Sequence, residues 1–272
     1  MRRLDEGGGS ERQAAASLSL VIPAYNEAAR IEATVRAATA WAGEQPFPVE
    51  LIVVDDGSDD ATAELAERAL RDAAGANVIR LPHGGKAAAV RAGMLAATGD
   101  QIAFSDADLA TPLSYLAQLR AALAGGCEIA IGSREGAGAR RLGEPIYRHV
   151  MGRVFNGLVR ALLVPGIDDT QCGFKLFRAE VARDLLERSR LYRDASREIL
   201  GPRVTAFDVE LLTIARARGY RVCSVPVVWS YGRGSKVRPA RDTWHNVRDV
   251  LQVWVGARRG WYGESKVGSR RS

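Results

Sequence analysis

Asp106 and Asp108 stand at i and i+2 directly after the apolar run of residues 101–105, and two carboxylates held that close repel each other. Such a pair is most stable when a divalent cation bridges it to a phosphate-bearing ligand, and hard oxygen donors favour magnesium or manganese over zinc. The same residues would also serve as a turn and a helix start. A second acidic cluster, DDGSDD at residues 55–60, follows the apolar run 49–54. Ser58 and Asp59 suit a helix cap, yet a cap does not require four carboxylates. Asp55 or Asp56, fixed at a strand end, could accept hydrogen bonds from a nucleobase N–H or a ribose hydroxyl. A third polar string, PAYNE at residues 23–27, ends the run 18–22. His83, Gly84, Gly85 and Lys86 read as a turn into a helix with a cation useful near phosphate, although GxxxxGK[ST] is absent.

These groups need a scaffold that brings strand ends together. From Leu18 onward, short apolar runs alternate with helical patterns, the mark of βαβ units and a mostly parallel sheet. Strands are expected at 18–22, 49–54, 77–81 and 101–105, with helices at 26–40, 59–72 and 86–97 between them. The first half thus reads as doubly wound, and ligands in such sheets sit at the carboxyl ends of the strands. Further on, 113–124 reads as a helix and 128–132 as a strand. Residues 134–145 are polar, Gly-rich and basic and read as a mobile loop. Residues 146–164 have helical apolar spacing with Arg148, Arg153 and Arg160 interspersed. Strand, helix, helix and strand follow at 174–177, 179–188, 207–218 and 222–228, and a basic helix at about 243–258.

The chain has 272 residues and 47% apolar content, enough for a buried core. Its net charge is +6, all of it accounted for by residues 234–272. A basic C-terminal segment suits an anionic membrane surface, nucleic acid or a phosphate-bearing substrate. Binding to nucleic acid would leave the carboxylate clusters unexplained, so no nucleic-acid partner is expected. Cys127, Cys172 and Cys223 form no CxxC and read as buried reduced thiols. The three histidines lack metal-ligand spacing, which speaks against zinc. No stretch approaches the roughly 18 apolar residues of a membrane span. The organisation expected is a mobile leader at 1–16, one domain at 17–242 and a basic C-terminal helix and tail at 243–272.

Taken in order, PAYNE, DDGSDDAT, GGKAAAVRAGM, DADLAT, GSR and DTQCGFKLF resemble the family 2 inverting glycosyltransferases of GT-A fold. DTQCGFKLF, FDVELL at 207–212 and GSKV at 234–237 resemble the dolichyl-phosphate β-glucosyltransferase branch. The resemblance spans roughly residues 18–238. It implies an α/β fold of GT-A type for nucleotide sugars, with a mostly parallel central sheet and peripheral amphipathic helices. Pro23, Tyr25 and Glu27 would border the base, Asp56 would hydrogen-bond it, and Lys86 would lie close to the nucleotide. Asp106 and Asp108 would hold Mg2+ or Mn2+, with Asp108 the more direct ligand. Arg134 would face phosphate, Gln171, Cys172 and Gly173 would form part of the sugar and acceptor region, and Asp208 would sit near the transferred sugar. Ser235 and Lys236 would close over the diphosphate. Ala110 stands where related mannose synthases often carry a further metal-contacting Gln.

The function so implied is inverting, metal-dependent transfer of glucose from UDP-glucose to a polyprenyl or dolichyl phosphate. Alternatives are another donor, GDP-mannose or UDP-N-acetylglucosamine, and a soluble or polysaccharide hydroxyl acceptor that needs a base at Asp208. A phosphate acceptor is already anionic and needs no strong base. The branch's usual N-terminal anchor is not expected here. A peripheral enzyme on the cytoplasmic face of an anionic membrane is expected instead, attached through residues 146–164 and 244–261, where Trp254 and Trp261 suit a headgroup interface.

Overall fold

The structure is a computed structural model that describes residues 16–191, 206–232 and 239–263, with backbone alone for residues 239–245. In chain order the elements are β1 (Leu18–Ala24), α1 (Ile31–Gly43), β2 (Val49–Asp55), α2 (Thr62–Leu70), β3 (Ala76–Arg80), α3 (Lys86–Ala96) and β4 (Gln101–Ser105). A 3-10 turn, Leu113–Tyr115, leads into α4 (Leu116–Ala124), followed by β5 (Ile129–Ser133), β6 (Arg140–Leu142), α5 (Ile146–Leu162) and β7 (Phe174–Arg178). Then come α6 (Ala179–Arg188), α7 (Phe207–Ala217), β8 (Val222–Pro226), β9 (Val228–Ser230) and α8 (Pro239–Arg258).

Seven strands form one sheet in the order β3-β2-β1-β4-β7-β5-β8, parallel except for β7. Both faces are covered, which is why β1 reads as a continuous apolar string. Leu18, Leu20 and Ile22 pack against α1, α2 and α4, while Val21 faces α3 on the opposite side. Helix α3 lies so close to the sheet that a Cβ on Gly93 would stand 2.9 Å from a Val54 methyl and nearer still to Val21, so only glycine fits.

The topology sets up the site. Strands β2 and β3 extend to one side of β1 and β4 to the other, which opens a crevice outside the carboxyl ends of β1 and β4. Because β7 runs antiparallel, with Ser105 opposite Phe174, its entrance lies at that same edge. Residues 171–173 thereby meet the loop after β4.

Four expectations are corrected. Helices α1 and α2 begin later than their apolar periodicity suggests, because residues 26–28 and 58–62 bond to each other instead. The Asn26 N–H donates to Ser58 Oγ (2.9 Å), the Glu27 N–H to Thr62 Oγ1 (2.7 Å), and the Asp59 N–H to Asn26 Oδ1 (2.8 Å). Residues 134–145 are not a featureless loop. They contain β6, which pairs in parallel with β9, and Arg141 ties Glu135 and Glu144 together (both 2.9 Å). The apolar run 222–228 is two strands, since the chain leaves the main sheet after Pro226 and joins β6 from Val228. Finally, Cys127 and Cys223 are not separate thiols: the parallel pairing of β5 with β8 brings their Cα atoms to 6.1 Å, within bridging range, and they form a disulfide.

Candidate active site

A cleft of about 350 Å³ opens at the carboxyl ends of β1, β2 and β4. Pro23, Tyr25, Glu27, Asp56, Lys86, Asp106, Asp108 and Arg134 all line it, so eight of the residues singled out from sequence converge on one space. Both loops at its floor carry a left-handed residue other than glycine, Asn26 (φ 51°) and Leu109 (φ 46°). Asparagine tolerates this conformation and leucine does not, so the DADLA turn is held in a strained shape beside the acidic pair.

Asp56 is deeply buried and accepts hydrogen bonds from the backbone N–H groups of Gly84 and Gly85 (both 2.9 Å). Its Oδ2 also meets His83 Nδ1 at 2.8 Å. Burial nevertheless pushes its pKa above the ordinary carboxylate value. Asp56 thus anchors the turn into α3. The His83 ring it holds lies flat on Tyr25, with centroids 4.0 Å apart and planes 13° from parallel. Gly57 lets the His83 backbone come this close: its φ is +68°, and a Cβ there would stand 2.6 Å from the His83 backbone nitrogen.

Lys86, the first residue of α3, pairs with Asp106. Desolvation within the cleft pulls its pKa down, but Asp106, Asp208 and Asp108 together outweigh that and hold it above the ordinary lysine value. Asp108 accepts from the Ala110 N–H (3.0 Å), and desolvation, with the Asp106 charge next, raises its pKa. Gly173 sits against Asp106. A Cβ there would lie 2.5 Å from the carboxylate carbon and 2.6 Å from Oδ1.

Arg134 reaches the cleft but is matched: Nε and Nη2 grip the fully buried Asp169 at 2.7 and 2.8 Å. Burial would raise the Asp169 pKa, yet Arg134 holds it at about 2. Asp208 does not line the cleft. It sits in the first turn of α7 and accepts from Lys175 Nζ at 2.7 Å, and Lys175, fully buried, also donates to the Cys172 carbonyl at 2.6 Å. Cys172 itself is buried in the core, where its thiol pKa is pushed up to about 11, so the sulfur does not front the cleft. Ser235 and Lys236 lie outside the described residues.

Several residues that sequence reasoning missed belong here. Arg30 lines the cleft, and its signal was the Glu-x-x-Arg spacing with Glu27, which it pairs at 2.8 Å. Arg148, Trp229, Tyr231 and Gly232 form the far wall, where Arg148 Nη1 donates to the Tyr231 hydroxyl (2.7 Å). Nothing local in the sequence announces that β9 folds back over the site.

Asp106 and Asp108 fit a divalent cation as far as the donor set goes. Among the described residues no group of three or more His, Cys, Asp or Glu is arranged to hold a metal ion by itself. Two carboxylates at the edge of an open cleft are nonetheless what Mg2+ or Mn2+ takes when ligand oxygens and water complete the shell.

Comparison with known proteins agrees with this geometry. The chain is 36% identical to the dolichyl-phosphate beta-glucosyltransferase of Drosophila melanogaster over 257 residues, covering 88% of this chain and 74% of that protein. The human protein of the same name is 33% identical over 252 residues, covering 87% and 74%. Glycosyltransferase AglD of Haloferax volcanii is 35% identical over 91% of this chain, which spans only 39% of that protein. Among solved structures, glucosyl-3-phosphoglycerate synthase from Mycobacterium tuberculosis, crystallised with Mn2+, UDP and glucosyl-3-phosphoglycerate, shares the fold at a TM-score of 0.61 and 21% identity, covering 90% of this chain and 81% of that one. The model of Glycosyl transferase family 2 matches residues 19–186, and the chain therefore belongs to that family and is a glycosyltransferase.

Proposed function

We propose that this protein transfers glucose from UDP-glucose to dolichyl phosphate or another polyprenyl phosphate, with inversion at the anomeric carbon, while attached to a membrane surface. One observation carries the reading of the acceptor. Helix α5 contributes Arg148 to the cleft and turns an apolar stripe outward, with Ile146, Val150 and Val154 at 82%, 53% and 71% exposure. A cation at the cleft mouth joined to an uncovered apolar track suits an amphiphile with a phosphate head. The names of the Drosophila and human relatives support the same sugar and carrier.

In this reading an acceptor phosphate oxygen attacks the anomeric carbon as the bond from that carbon to the donor diphosphate breaks. No proton need leave the nucleophile, so a base is dispensable. That agrees with Asp208 being committed to Lys175. The tasks left to the protein are alignment and charge: Lys86 and the N-terminus of α3 face the diphosphate, and Arg148 orients the acceptor. Asp106 and Asp108 would hold Mg2+ or Mn2+, which when bound neutralises charge on the departing nucleoside diphosphate.

Among the described residues no helix is long and apolar enough to cross a membrane. The attachment proposed is therefore through the α5 face, with the basic C-terminal helix adding attraction to anionic lipid. On the cytoplasmic face, the setting we favour, reducing conditions would open the Cys127–Cys223 bridge. The test is incubation of the protein with polyprenyl phosphate, Mn2+ and radiolabelled UDP-glucose, GDP-mannose or UDP-N-acetylglucosamine, followed by chloroform extraction. Label should enter the organic phase from UDP-glucose. Stronger labelling from either other donor would reassign the sugar.

A further inference from the structure

We infer that Arg30 binds the donor diphosphate and that Glu27 holds it in position to do so. The inference rests on reading the cleft as a nucleotide-sugar site and adds a residue to it.

Arg30 immediately precedes α1, and its backbone N–H donates to the Glu27 carbonyl (2.9 Å). Its Nε is fastened to Glu27 Oε2 at 2.8 Å, so one edge of the guanidinium fork is fixed by a residue of the same short loop. The Nη edge reaches the cleft wall. A Cβ built on Gly232 would stand 3.4 Å from Asp108 Oδ2 and 3.8 Å from Arg30 Nη1, so one methyl group would touch both. A ligand atom that occupies this gap beside Asp108 Oδ2 meets Arg30 as well. Gly232 leaves that space open because it has no side chain.

Charge gives the reason for a cation at this place. Two carboxylates, Asp106 and Asp108, and the two ionised phosphates of a nucleotide sugar bring four negative charges together. A divalent ion and Lys86 return three positive ones. One negative charge is left over in a desolvated cleft, and Arg30, although its charge is shared with Glu27, turns its remaining guanidinium N–H donors toward it. Arg134 spends both Nε and Nη2 on Asp169, and Lys175 is buried against Asp208 outside the cleft lining. Arg30 is instead pinned at one edge, with its charge also felt at Asp108. A planar guanidinium fixed in this way suits a phosphate oxygen better than a sugar hydroxyl, since it pairs charge with directed N–H donors. Glu27, expected to border the base, thus acts as a positioning residue for Arg30.

The experiment is titration calorimetry of the full chain with UDP and with UMP in the presence of Mn2+, comparing the unaltered protein with Arg30→Gln, Arg30→Lys and Glu27→Gln. Arg30→Gln should weaken UDP about ten- to a hundredfold, the worth of a charge-assisted hydrogen bond, and leave UMP within about twofold. Arg30→Lys should recover part of the loss, and Glu27→Gln should show a smaller loss with the same UDP selectivity. If Arg30→Gln binds UDP as tightly as the unaltered protein, or loses UMP equally, the inference is overturned while the functional reading stands. If the unaltered protein binds neither nucleotide, the functional reading falls and takes the inference with it.

Discussion

Replacing Gly173 by alanine should disable the cleft without unfolding the protein. Gly173 is not in a left-handed conformation, so its backbone accepts an L residue, and what forbids a side chain is the Asp106 carboxylate. The new Cβ would stand 2.5 Å from the carboxylate carbon and 2.6 Å from Oδ1, whereas ordinary contact begins at 3.4 Å. Asp106 must therefore shift by roughly 1 Å, and a displacement of that size at a reacting centre costs about 100-fold in rate. Because Lys86 is paired to Asp106, the shift also moves the cation proposed to face the diphosphate. The carboxylate lies in an open cleft and can rotate, so the stability loss should stay near the 1 kcal/mol typical of a single substitution. Initial rates of label transfer from UDP-glucose to polyprenyl phosphate, read beside urea melts, measure both quantities. A Gly173→Ala protein with full activity would refute the placement of Asp106 in the reacting centre, and one that fails to fold would refute the claim that the carboxylate can yield.

Three further outcomes are expected. The Asp169 carboxyl titrates at about 2 in the folded chain against an ordinary 3.8, so its pair with Arg134 stabilises fully above about pH 4. That contribution, about 2 kcal/mol, is lost as pH falls toward 2 and should vanish from the acid side of denaturation curves in Asp169→Asn, whose neutral-pH stability should drop by about 3 kcal/mol. Asp208→Asn leaves Lys175 buried beside a neutral amide and should cost about 3 kcal/mol by urea melt. Transfer to polyprenyl phosphate should nevertheless remain measurable, with a pH profile that follows acceptor ionisation. The double change Val150→Glu and Val154→Glu, on the exposed face of α5, should reduce cosedimentation with anionic vesicles at least tenfold, since burying the exposed share of each valine is worth roughly 1 kcal/mol. Its thermal midpoint should be unchanged, and unchanged vesicle binding would remove α5 from the membrane contact.

The first half of the fold was legible in the sequence because its information is local. Buried parallel strands are continuous apolar strings, and the polar residues that follow them, PAYNE, DDGS and DADLAT, mark the crevice edge directly. That is why Tyr25, Asp56, Lys86, Asp106 and Asp108 line one cleft. What stayed hidden depends on long-range pairing. The antiparallel insertion of β7 between β4 and β5 decides that Gly173 abuts Asp106 and that Lys175 points to α7. The Cys127–Cys223 contact spans 96 residues and follows from the β5–β8 register, which no cysteine spacing reports. The crossing of the chain from β8 to β9 brings Trp229, Tyr231 and Gly232 over a cleft whose other walls lie roughly 80 to 210 residues earlier. Asp56 and Arg134 were expected to face ligand, yet their strongest partners are protein groups, a distinction set by burial rather than by residue type.

The most direct measurement is the chemical identity of the product. Purified protein, UDP-glucose, Mn2+ and a short polyprenyl phosphate, with the matching polyprenol as control, should give a single lipid product from the phosphate alone. Phosphorus and proton magnetic resonance should show a β-configured glucosyl phosphodiester, inverted relative to the donor. A product formed equally from polyprenol, a retained anomeric configuration, or glucose found only in a water-soluble glycan would contradict inverting transfer to a lipid phosphate.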